Sequence, residues 1–506
     1  MIRDIERMAH GEYDLLVIGG GINGAAVANM AALNGLRVVL AEKDDFASGT
    51  SSKSTKLIHG GLRYLENLEF DLVRESLLER SIQLKSAPHF VRPLGFVIPV
   101  YKGDKRPLWM VRLGVFLYDL LCGRHKIAPH KLLTPEKVAG IIPDINSENL
   151  VGGVMYYDAQ MDDARLCLEN ILNAENNGAH IANYMEVKTF IVENGRAVGV
   201  EAVDRISQKR VSIRASHVVC CAGPWTNVFM AKERSRSPMA VRTTKGVHLI
   251  YKGLFSPEAM FLTVKKDQRL FFIIPWEGNS LIGTTDTDYQ GSPDNVSVSD
   301  EDIEYLLKEV QRYFPKKKVR KENVITTFAG LRPLVSQPGR PSKISRKHVI
   351  KESYSGVVYV MGGKYTTYRK IAEDVVTKIK GEKLIDTRDK WPLYGGGRVK
   401  LLPEDIARKY DMPLDVVDHL IATYGTRYRD VLKMVRGDPS LKGKICSCSP
   451  VIQAQVVYAI EKEMALTVED IVNRRLGLVY QDCPSRECER RISEIIDKKG
   501  VAENLI

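Results

Sequence analysis

Residues 13–42 read YDLLVIGGGINGAAVANMAALNGLRVVLAE, and they predict a strand, a glycine turn, a helix and a second strand in succession. Tyr13–Ile18 is a short and mostly apolar run, which is typical of a buried strand. The Ala-rich residues 22–34 are typical of a helix, and residues 37–40 form a second apolar run. This order predicts a βαβ unit.

The glycine turn of this unit has the spacing of a phosphate-binding loop. Gly19 permits the turn, Gly21 lets the backbone approach a pyrophosphate, and Gly24 lets the helix lie close to the strand. Glu42 follows Gly24 by 42 − 24 = 18 residues, close to the spacing at which an acidic side chain meets a ribose hydroxyl. These features predict a dinucleotide site, with Ile22 and Asn23 at the helix N-terminus that faces the phosphates.

The charge balance restricts the classes of partner. The 506 residues are enough for two or three domains, and they carry a formal net charge of +12. A basic protein suits a phosphate-bearing substrate, an anionic membrane surface or nucleic acid. Nucleic acid is disfavoured, because no stretch interleaves basic residues with stacking aromatic residues.

Several features of the sequence indicate a cytoplasmic protein. No uninterrupted apolar run is long enough to span a bilayer. The first residues include Asp4, Glu6 and Glu12, which argues against a secretory signal or a transit peptide. Eight cysteines in a chain of this length do not indicate a disulfide scaffold, so we expect a reducing compartment.

A second polar loop follows the βαβ unit. The hydroxyls of Thr50, Ser51 and Ser52 are suited to bind a pyrophosphate and the edge of a flat ring. The next run, residues 57–65, reads LIHGGLRYL, and its glycine pair lets the backbone pass close to such a ring. A surface loop followed by a helix is the alternative. The crowding of histidine, glycine, arginine and tyrosine directly after a nucleotide unit favours a functional site.

Six motifs together resemble one known family. The runs GGGINGAA, TSSKSTKLIHGGLRYLE, CAGPW, LIGTTD, GLRPL and GGKYTTYRK are similar to those of FAD-dependent glycerol-3-phosphate dehydrogenases, which belong to the D-amino-acid-oxidase-like flavoproteins. The resemblance is strong from about residue 13 to residue 380 and weaker beyond it. It implies an α/β (α+β) fold with a Rossmann-like two-dinucleotide-binding FAD domain, a β-sheet substrate or cap domain and an all-α C-terminal domain. The expected ranges are 1–90, 150–240 and 325–385 for the first domain, 91–149 and 241–324 for the second, and 386–506 for the third.

The resemblance also implies FAD as the cofactor. A strand at 217–221 that runs into a small-residue turn is expected to reach the adenine end, and the helix after Gly362 is expected to point at the pyrimidine end of the flavin. The expected FAD-binding residues are Gly19, Gly21, Ile22, Asn23, Gly24, Glu42, Thr50, Ser51, Ser52, His59, Gly60, Gly61, Ala222, Gly223, Trp225, Gly362, Gly363, Lys364, Thr366 and Thr367.

The reaction implied by the resemblance is oxidation of sn-glycerol 3-phosphate to dihydroxyacetone phosphate by hydride transfer to FAD. The forked guanidinium groups of Arg332 and Arg346 suit a phosphate dianion, although Arg332 could instead pair with an internal carboxylate. His59 is the first candidate for the general base, because an imidazole titrates near the working pH, and His248 is the rival. Arg63, Tyr64 and Lys364 are expected to orient the hydroxyl or to stabilise oxyanion charge, with Tyr64 and Lys364 also contacting the substrate.

The electron acceptor stays open at the level of sequence. Ubiquinone or menaquinone in a membrane is the expected acceptor, and dioxygen, as in a glycerol-3-phosphate oxidase, is the alternative. An amino-acid or sarcosine-type oxidase shares the expected fold but would need a carboxylate site in place of the phosphate site. A homodimer is a further possibility that the sequence leaves open.

Residues 106–126, RPLWMVRLGVFLYDLLCGRHK, place large apolar side chains at helical spacing between flanking cations. One interpretation is a helix that lies in a membrane interface, which would make the protein peripheral on the inner face of the cell membrane. The other is an amphipathic helix packed on its own core.

Two cysteine pairs lie near the C-terminus, Cys446-x-Cys448 and Cys483-x4-Cys488. Four thiols at such spacings could hold an iron–sulfur cluster. The implied helical domain accounts for this segment without a metal, so we expect ordinary structural thiols and no metal site.

Overall fold

The computed structural model describes residues 1, 3–233, 240–265, 268–336, 346–389, 391, 393–483 and 486–500. The strands are β1 Tyr13–Ile18, β2 Val38–Ala41, β3 Leu57–Ile58, β4 Val91–Tyr101, β5 Lys131–Leu133, β6 Leu150–Met161, β7 His180–Ala182, β8 Met185–Glu193, β9 Arg196–Asp204, β10 Arg210–Cys220, β11 Val241–Tyr251, β12 Ala259–Thr263, β13 Leu270–Trp276, β14 Asn279–Gly283, β15 Thr287–Asp288, β16 Val324–Val335, β17 His348–Glu352 and β18 Val358–Gly362. The α-helices are α1 Ile5–His10, α2 Ile22–Leu33, α3 Phe70–Ser86, α4 Leu108–Cys122, α5 Pro135–Ile141, α6 Asp163–Asn176, α7 Thr226–Lys232, α8 Asp300–Tyr313, α9 Tyr368–Lys380, α10 Pro403–Tyr410, α11 Leu414–Tyr424, α12 Tyr428–Gly437, α13 Gln453–Glu463 and α14 Glu487–Lys498.

The first sheet has eight strands and contains the βαβ unit. Its path runs β17-β18-β10-β1-β2-β7, and β8 and β9 continue antiparallel from β10. β1 pairs in parallel with both β2 and β10, and β10 pairs in parallel with β18. The carboxyl ends of these four strands therefore lie at one edge of the sheet, which is where open α/β sheets bind ligands.

Helix α2 connects β1 to β2, and its small side chains determine how closely it packs. Ala25, Ala26 and Ala28 have no exposed surface, and the helix contacts both α6 and α9. At its start, a Cβ on Gly24 would lie 1.9 Å from the backbone oxygen of Gly19. Only glycine allows this approach, so the glycine turn and the helix are fixed against each other. The predicted βαβ unit is confirmed.

The second sheet has ten strands in the order β15-β11-β14-β13-β12-β4-β6-β3, with β16 paired to β11 and β5 paired to β6. β11 and β16 are antiparallel over nearly their whole lengths, so Thr244 lies opposite Arg332 and His248 opposite Phe328. His248 also lies opposite Gly283 of β14. This register brings residues that are far apart in the sequence to the same face.

The two sheets divide the chain differently from the expected ranges at three strands. The short β3 lies in the range 1–90 but pairs with β6 of the second sheet. β6 lies in the range 150–240 and β16 in the range 325–385, both expected to belong to the FAD domain. In the structure β6 pairs with β4 and β16 pairs with β11, so both belong to the second sheet. The alternation of apolar residues indicates a strand but does not identify its partner.

The C-terminal part is helical and is bound to the first sheet's domain by buried ion pairs. Asp45 accepts one hydrogen bond at 2.6 Å from Arg474 and two at 2.7 Å from Arg475. Burial alone would raise the pKa of Asp45, but the two guanidinium groups hold it below its usual value. Arg165 forms a second link, with both of its terminal nitrogens 2.9 Å from the carboxylate of Glu463.

Within the described ranges, none of the helices has both the length and the apolar character that crossing a bilayer requires.

Candidate functional site

A cavity of about 510 Å³ lies between the two sheets. The first sheet contributes the residues at or just after the carboxyl ends of β1, β2, β10 and β18. The second sheet contributes side chains of β11, β13 and β16. The site is thus formed where the parallel strands end and the second sheet covers them, and this volume is in the range of cofactor and ligand sites.

The expected site residues that line this cavity come from nine segments of the chain. They are Gly19, Gly21, Ile22, Asn23, Glu42, Thr50, Ser51, His59, Gly61, Arg63, Tyr64, Ala222, Gly223, Trp225, His248, Arg332, Arg346, Gly362, Gly363, Lys364 and Thr366.

Four expected residues do not line it. Gly24 packs on the carbonyl of Gly19. Ser52 is buried beside the cavity wall, and its carbonyl accepts a hydrogen bond from Lys56. The amide of Gly60 donates to the Tyr118 hydroxyl at 2.8 Å, on the side away from the cavity. Thr367 is buried, and its hydroxyl donates to the carbonyl of Lys364.

The glycine turn and Glu42 form one end of the cavity. Gly19 has a φ of +104°, and a Cβ at this position would lie 2.8 Å from the carbonyl oxygen of Cys221. The Glu42 carboxylate accepts hydrogen bonds from the amides of Gly20 at 2.6 Å and Asp44 at 2.9 Å. Burial raises the pKa of Glu42 to about 7, and these two hydrogen bonds oppose the rise. The bare glycine backbone and the adjacent carboxylate fit a pyrophosphate and a ribose.

Trp225 closes this end together with two residues that the sequence did not indicate. Its indole nitrogen donates to Asp294 at 2.9 Å, and the Lys43 ammonium lies 4.3 Å from the ring centroid. Lys43 also pairs with Asp294. An aromatic ring and a cation at this place suit a flat nucleobase, and the ion pair fixes the orientation of the ring.

The hydroxyl loop joins the two sheets at the middle of the cavity. The Ser51 hydroxyl accepts a hydrogen bond from the Ile22 amide at 2.9 Å, at the start of α2. The Thr50 hydroxyl donates to the carbonyl of Leu331 in β16 at 2.6 Å. The loop therefore holds the phosphate-binding turn against the sheet that carries Arg332.

Lys364 is held by three acceptors beside Tyr64. Its ammonium donates to the Ser76 hydroxyl at 2.8 Å and to the carbonyls of Gly60 at 3.2 Å and His59 at 3.3 Å. It lies 4.7 Å from the centroid of the Tyr64 ring. Burial lowers the pKa of Lys364 to about 7, with the charge of Asp158 opposing the shift. The group can therefore gain or lose a proton near neutral pH.

His248 is fixed on the roof of the cavity. Its Nε2 lies 3.0 Å from the Thr55 hydroxyl, and its ring stacks on Phe328 with centroids 5.0 Å apart. Its Nδ1 is buried without a hydrogen-bond partner among the described residues. Burial, followed by the charges of Arg332 and Lys56, lowers the pKa of His248 well below its usual value.

His59 does not have the pKa that the sequence suggested. Burial lowers the pKa of His59 to about 3, and the cations Lys364, Arg63 and Arg80 add to the shift. The expectation that one of these imidazoles titrates near the working pH is therefore wrong for both. Each is neutral at neutral pH, which is the protonation state that a base needs, and Lys364 is the group that titrates there.

Arg332 has an internal carboxylate partner and also lines the cavity. It lies 3.1 Å from Asp286 and donates at 2.9 Å to the Thr284 hydroxyl. Burial lowers the pKa of Arg332 to about 10, so it remains charged at neutral pH, and Arg346 lines the same cavity. Thr284 and Asp286 belong to the LIGTTD run. The sequence did not indicate that they bind Arg332, because that arginine is 46 residues or more away along the chain.

Comparison with known proteins agrees with this geometry. Residues 14–369 match the family model described as FAD dependent oxidoreductase, and residues 387–499 match the one described as the C-terminal domain of alpha-glycerophosphate oxidase. A glycerol-3-phosphate dehydrogenase of Synechocystis is 38% identical over 94% of this chain and 91% of its own length. A D-erythritol 1-phosphate dehydrogenase of Brucella abortus is 41% identical over 91% and 93%.

Among solved structures, the glycerol-3-phosphate dehydrogenase of Bacillus halodurans complexed with FAD aligns with a TM-score of 0.80 and 30% identity, over 99% of this chain and 95% of the other. The cavity's glycine cradle lies in the matched FAD domain. The chain therefore belongs to the D-amino-acid-oxidase-like family of FAD-dependent oxidoreductases, together with the glycerol-3-phosphate dehydrogenases that it matches, and its cofactor is FAD.

Proposed function

We propose that this protein oxidises sn-glycerol 3-phosphate to dihydroxyacetone phosphate and passes the electrons to a membrane quinone. The observation that carries the proposal is the pair of guanidinium groups, Arg332 and Arg346, in the cavity that fits FAD. Relatives named glycerol-3-phosphate dehydrogenase cover more than nine-tenths of the chain. FAD, when bound, supplies the hydride acceptor, and the residues of this chain bind and orient the substrate.

The proposed phosphate site uses Arg332 and Arg346. Arg332 is held in place by Thr284 and Asp286, so little side-chain entropy is lost when an anion binds. Asp286 neutralises part of its charge, which stabilises the partly buried guanidinium before the substrate arrives. Two forked cations match the geometry of a phosphate dianion.

We propose His248 as the base that accepts the C2 hydroxyl proton, with His59 as the second candidate. His248 is neutral, lines the cavity, and is oriented by Thr55 and Phe328. These two contacts fix the orientation of the His248 ring, as a general base requires. Lys364 has a pKa of about 7, and its protonated ammonium would stabilise the negative charge that develops on the substrate oxygen.

Helix α4 supports a membrane acceptor. Trp109, Leu113 and Phe116 on its outer face are 65%, 49% and 52% exposed, with Arg112 and Arg124 beside them. The packed-core interpretation does not account for this face, and an apolar face flanked by cations suits a membrane interface. The opposite face carries Tyr118, which bonds to Gly60 next to the cavity, so membrane contact and flavin site are close in the fold.

The experiment that tests the function is an anaerobic titration of the purified holoenzyme with sn-glycerol 3-phosphate, followed by flavin absorbance. Loss of the oxidised flavin band is expected, with recovery on addition of a soluble quinone analogue. Recovery that is equally fast with air alone would identify an oxidase. No bleaching by glycerol 3-phosphate, together with bleaching by glycine or sarcosine, would reject the proposal.

A four-carbon polyol phosphate is a second candidate substrate, because the D-erythritol 1-phosphate dehydrogenase of Brucella abortus has the higher identity of the two compared relatives. The same titration with D-erythritol 1-phosphate decides between them. The substrate is the compound with the larger rate of flavin bleaching per unit concentration.

A further inference from the structure

Four cysteines of the C-terminal domain meet although they lie in separate segments. Cys446 and Cys448 precede α13, Cys483 follows the turn at Leu478–Tyr480, and Cys488 lies in the first turn of α14. Their Sγ atoms all lie within 4.8 Å of one another. Neighbouring sulfurs are 2.8 Å apart for Cys446 and Cys448, 3.5 Å for Cys448 and Cys488, and 3.4 Å for Cys483 and Cys488.

The spacing of the sulfurs fits a metal centre. A tetrahedral site with metal–sulfur bonds of about 2.3 Å has sulfurs roughly 3.8 Å apart. The three separations given above are somewhat shorter than that value, and every other pair of sulfurs lies within 4.8 Å.

The four thiols lie in or against one apolar cluster. Cys446 and Cys488 are buried in an apolar cluster with Ile445, Val451 and Ile492, which limits access of water. Cys488 lies at the N-terminus of a twelve-residue helix, whose dipole stabilises a negative charge. No member of the group forms a disulfide.

We propose that Cys446, Cys448, Cys483 and Cys488 form a tetrathiolate site for a thiophilic transition metal, either a single Zn²⁺ or Fe²⁺ ion or a small iron–sulfur cluster. When a single ion binds, each of the four thiols releases a proton and forms one metal–sulfur bond, and the oxidation states of the metal and of sulfur do not change. A cluster requires inorganic sulfide as well. This site revises the expectation of ordinary structural thiols.

The site would also support the substrate cavity. The hydroxyl of Tyr480, three residues before Cys483, accepts a hydrogen bond at 3.1 Å from the Lys56 ammonium, which also pairs with the buried Asp163. Its ring packs at 6.2 Å against Phe328, on which His248 stacks. A metal that fixes Cys483 therefore limits the movement of the segment behind the proposed base.

The test is metal analysis of the holoenzyme purified without oxygen. Zinc or iron at about one per chain is expected for a single ion, and iron with acid-labile sulfide at roughly two each for a [2Fe–2S] cluster. Electron paramagnetic resonance after dithionite reduction distinguishes zinc from an iron–sulfur cluster, because Zn²⁺ gives no signal and a reduced cluster gives one. Absence of stoichiometric metal, both as purified and after incubation with Zn²⁺ or with Fe²⁺ and sulfide, would overturn the proposal.

Variants locate the metal. Cys446→Ser and Cys488→Ser should each lose the metal while FAD content stays at the parent level. Cys122→Ser, which changes a buried cysteine on α4, should keep both. If the site variants do not fold, the parent protein still decides the question: a chelator should release the metal and expose four reactive thiols. A Cys446–Cys448 disulfide found by mass spectrometry in the anaerobic protein would count against the site.

Discussion

At the scale of single residues, the cavity separates its titratable groups by their surroundings. His59 and His248 are surrounded by cations and apolar atoms, which keeps them neutral, whereas Lys364 titrates at about 7. A neutral base and an ionisable ammonium can thus coexist in one site. Three experiments test these assignments.

The pH dependence of binding reports on Lys364. The pKa of Lys364 in the folded protein is lowered to about 7, so the free ammonium is lost as the pH rises through that value. If the substrate is held by the ammonium, affinity should fall by up to about tenfold per pH unit above pH 7, where the phosphate itself is already a dianion. Lys364→Met should bind weakly with a flat profile from pH 7 to 9.5, measured by flavin titration. A flat profile in the parent would remove Lys364 from the binding site.

Arg332→Leu tests the phosphate contact. Loss of this cation, and the unpaired Asp286 that remains, should cost about 2–5 kcal/mol in binding of glycerol 3-phosphate. Binding of glycerol, which has no phosphate, should change little. Asp286→Asn is the matched control, since it keeps the guanidinium but removes its internal partner. An equal loss for both ligands in Arg332→Leu would rule out the phosphate role.

The base is tested by His248→Ala and His59→Ala. Removing a general base typically slows the chemical step by about 10²–10⁴-fold. We expect this loss in anaerobic flavin bleaching for His248→Ala and a smaller loss for His59→Ala, with FAD bound in both. Parent rates in both variants would mean that the base lies elsewhere.

At the scale of elements, helix α4 has two faces with different surroundings. Its inner face carries Tyr118, which donates to Asp158 and accepts from the amide of Gly60. Its outer face presents the exposed apolar side chains described above. The helix thus connects a surface suited to lipid with the loop beside Lys364.

Trp109→Ser combined with Phe116→Ser should weaken co-sedimentation with anionic vesicles, because two large apolar side chains no longer enter the interface. Activity with a soluble quinone analogue should be retained, since neither residue touches the cavity lining. Tyr354→Ser is the control, because Tyr354 is 96% exposed outside this helix. Unchanged membrane retention in the double variant would eliminate the surface as a membrane contact.

The sequence predicted the local parts of the site and missed the long-range ones. The close approach of Gly24 to Gly19 and the hydrogen bond from the Gly20 amide to Glu42 both lie within one βαβ unit, so the spacing of the sequence was enough to predict that these residues lie together. The pairs Arg332–Asp286 and His248–Thr55 depend on which strands are neighbours. Apolar alternation carries no information on that choice, and the meeting of the four cysteines depends in the same way on helix packing.

At the scale of the whole molecule, the C-terminal helices are bound to the FAD domain by buried charges. Asp45→Asn should destabilise the protein by about 3–5 kcal/mol, because it leaves Arg474 and Arg475 buried with less negative charge. The pKa of Asp45 is lowered on folding, so its contribution is present above the unfolded pKa and is lost as the pH falls through the folded value.

The measurement is chemical unfolding of the holoenzyme at pH 7 and at acidic pH. The difference between parent and Asp45→Asn should shrink as the pH falls. Asp386→Asn removes an exposed ion pair with Arg388 and should have little effect at either pH. A difference that stays constant down to acidic pH would contradict the role assigned to the Asp45 charge.

The hydrogen bond between Tyr480 and Lys56 has a practical consequence for engineering. A chimaera that takes its C-terminal domain from a relative would replace Tyr480 and the packing behind His248. We expect its turnover to change even when every residue that contacts the substrate is retained. Variant libraries that leave out the C-terminal domain would therefore miss residues that affect turnover.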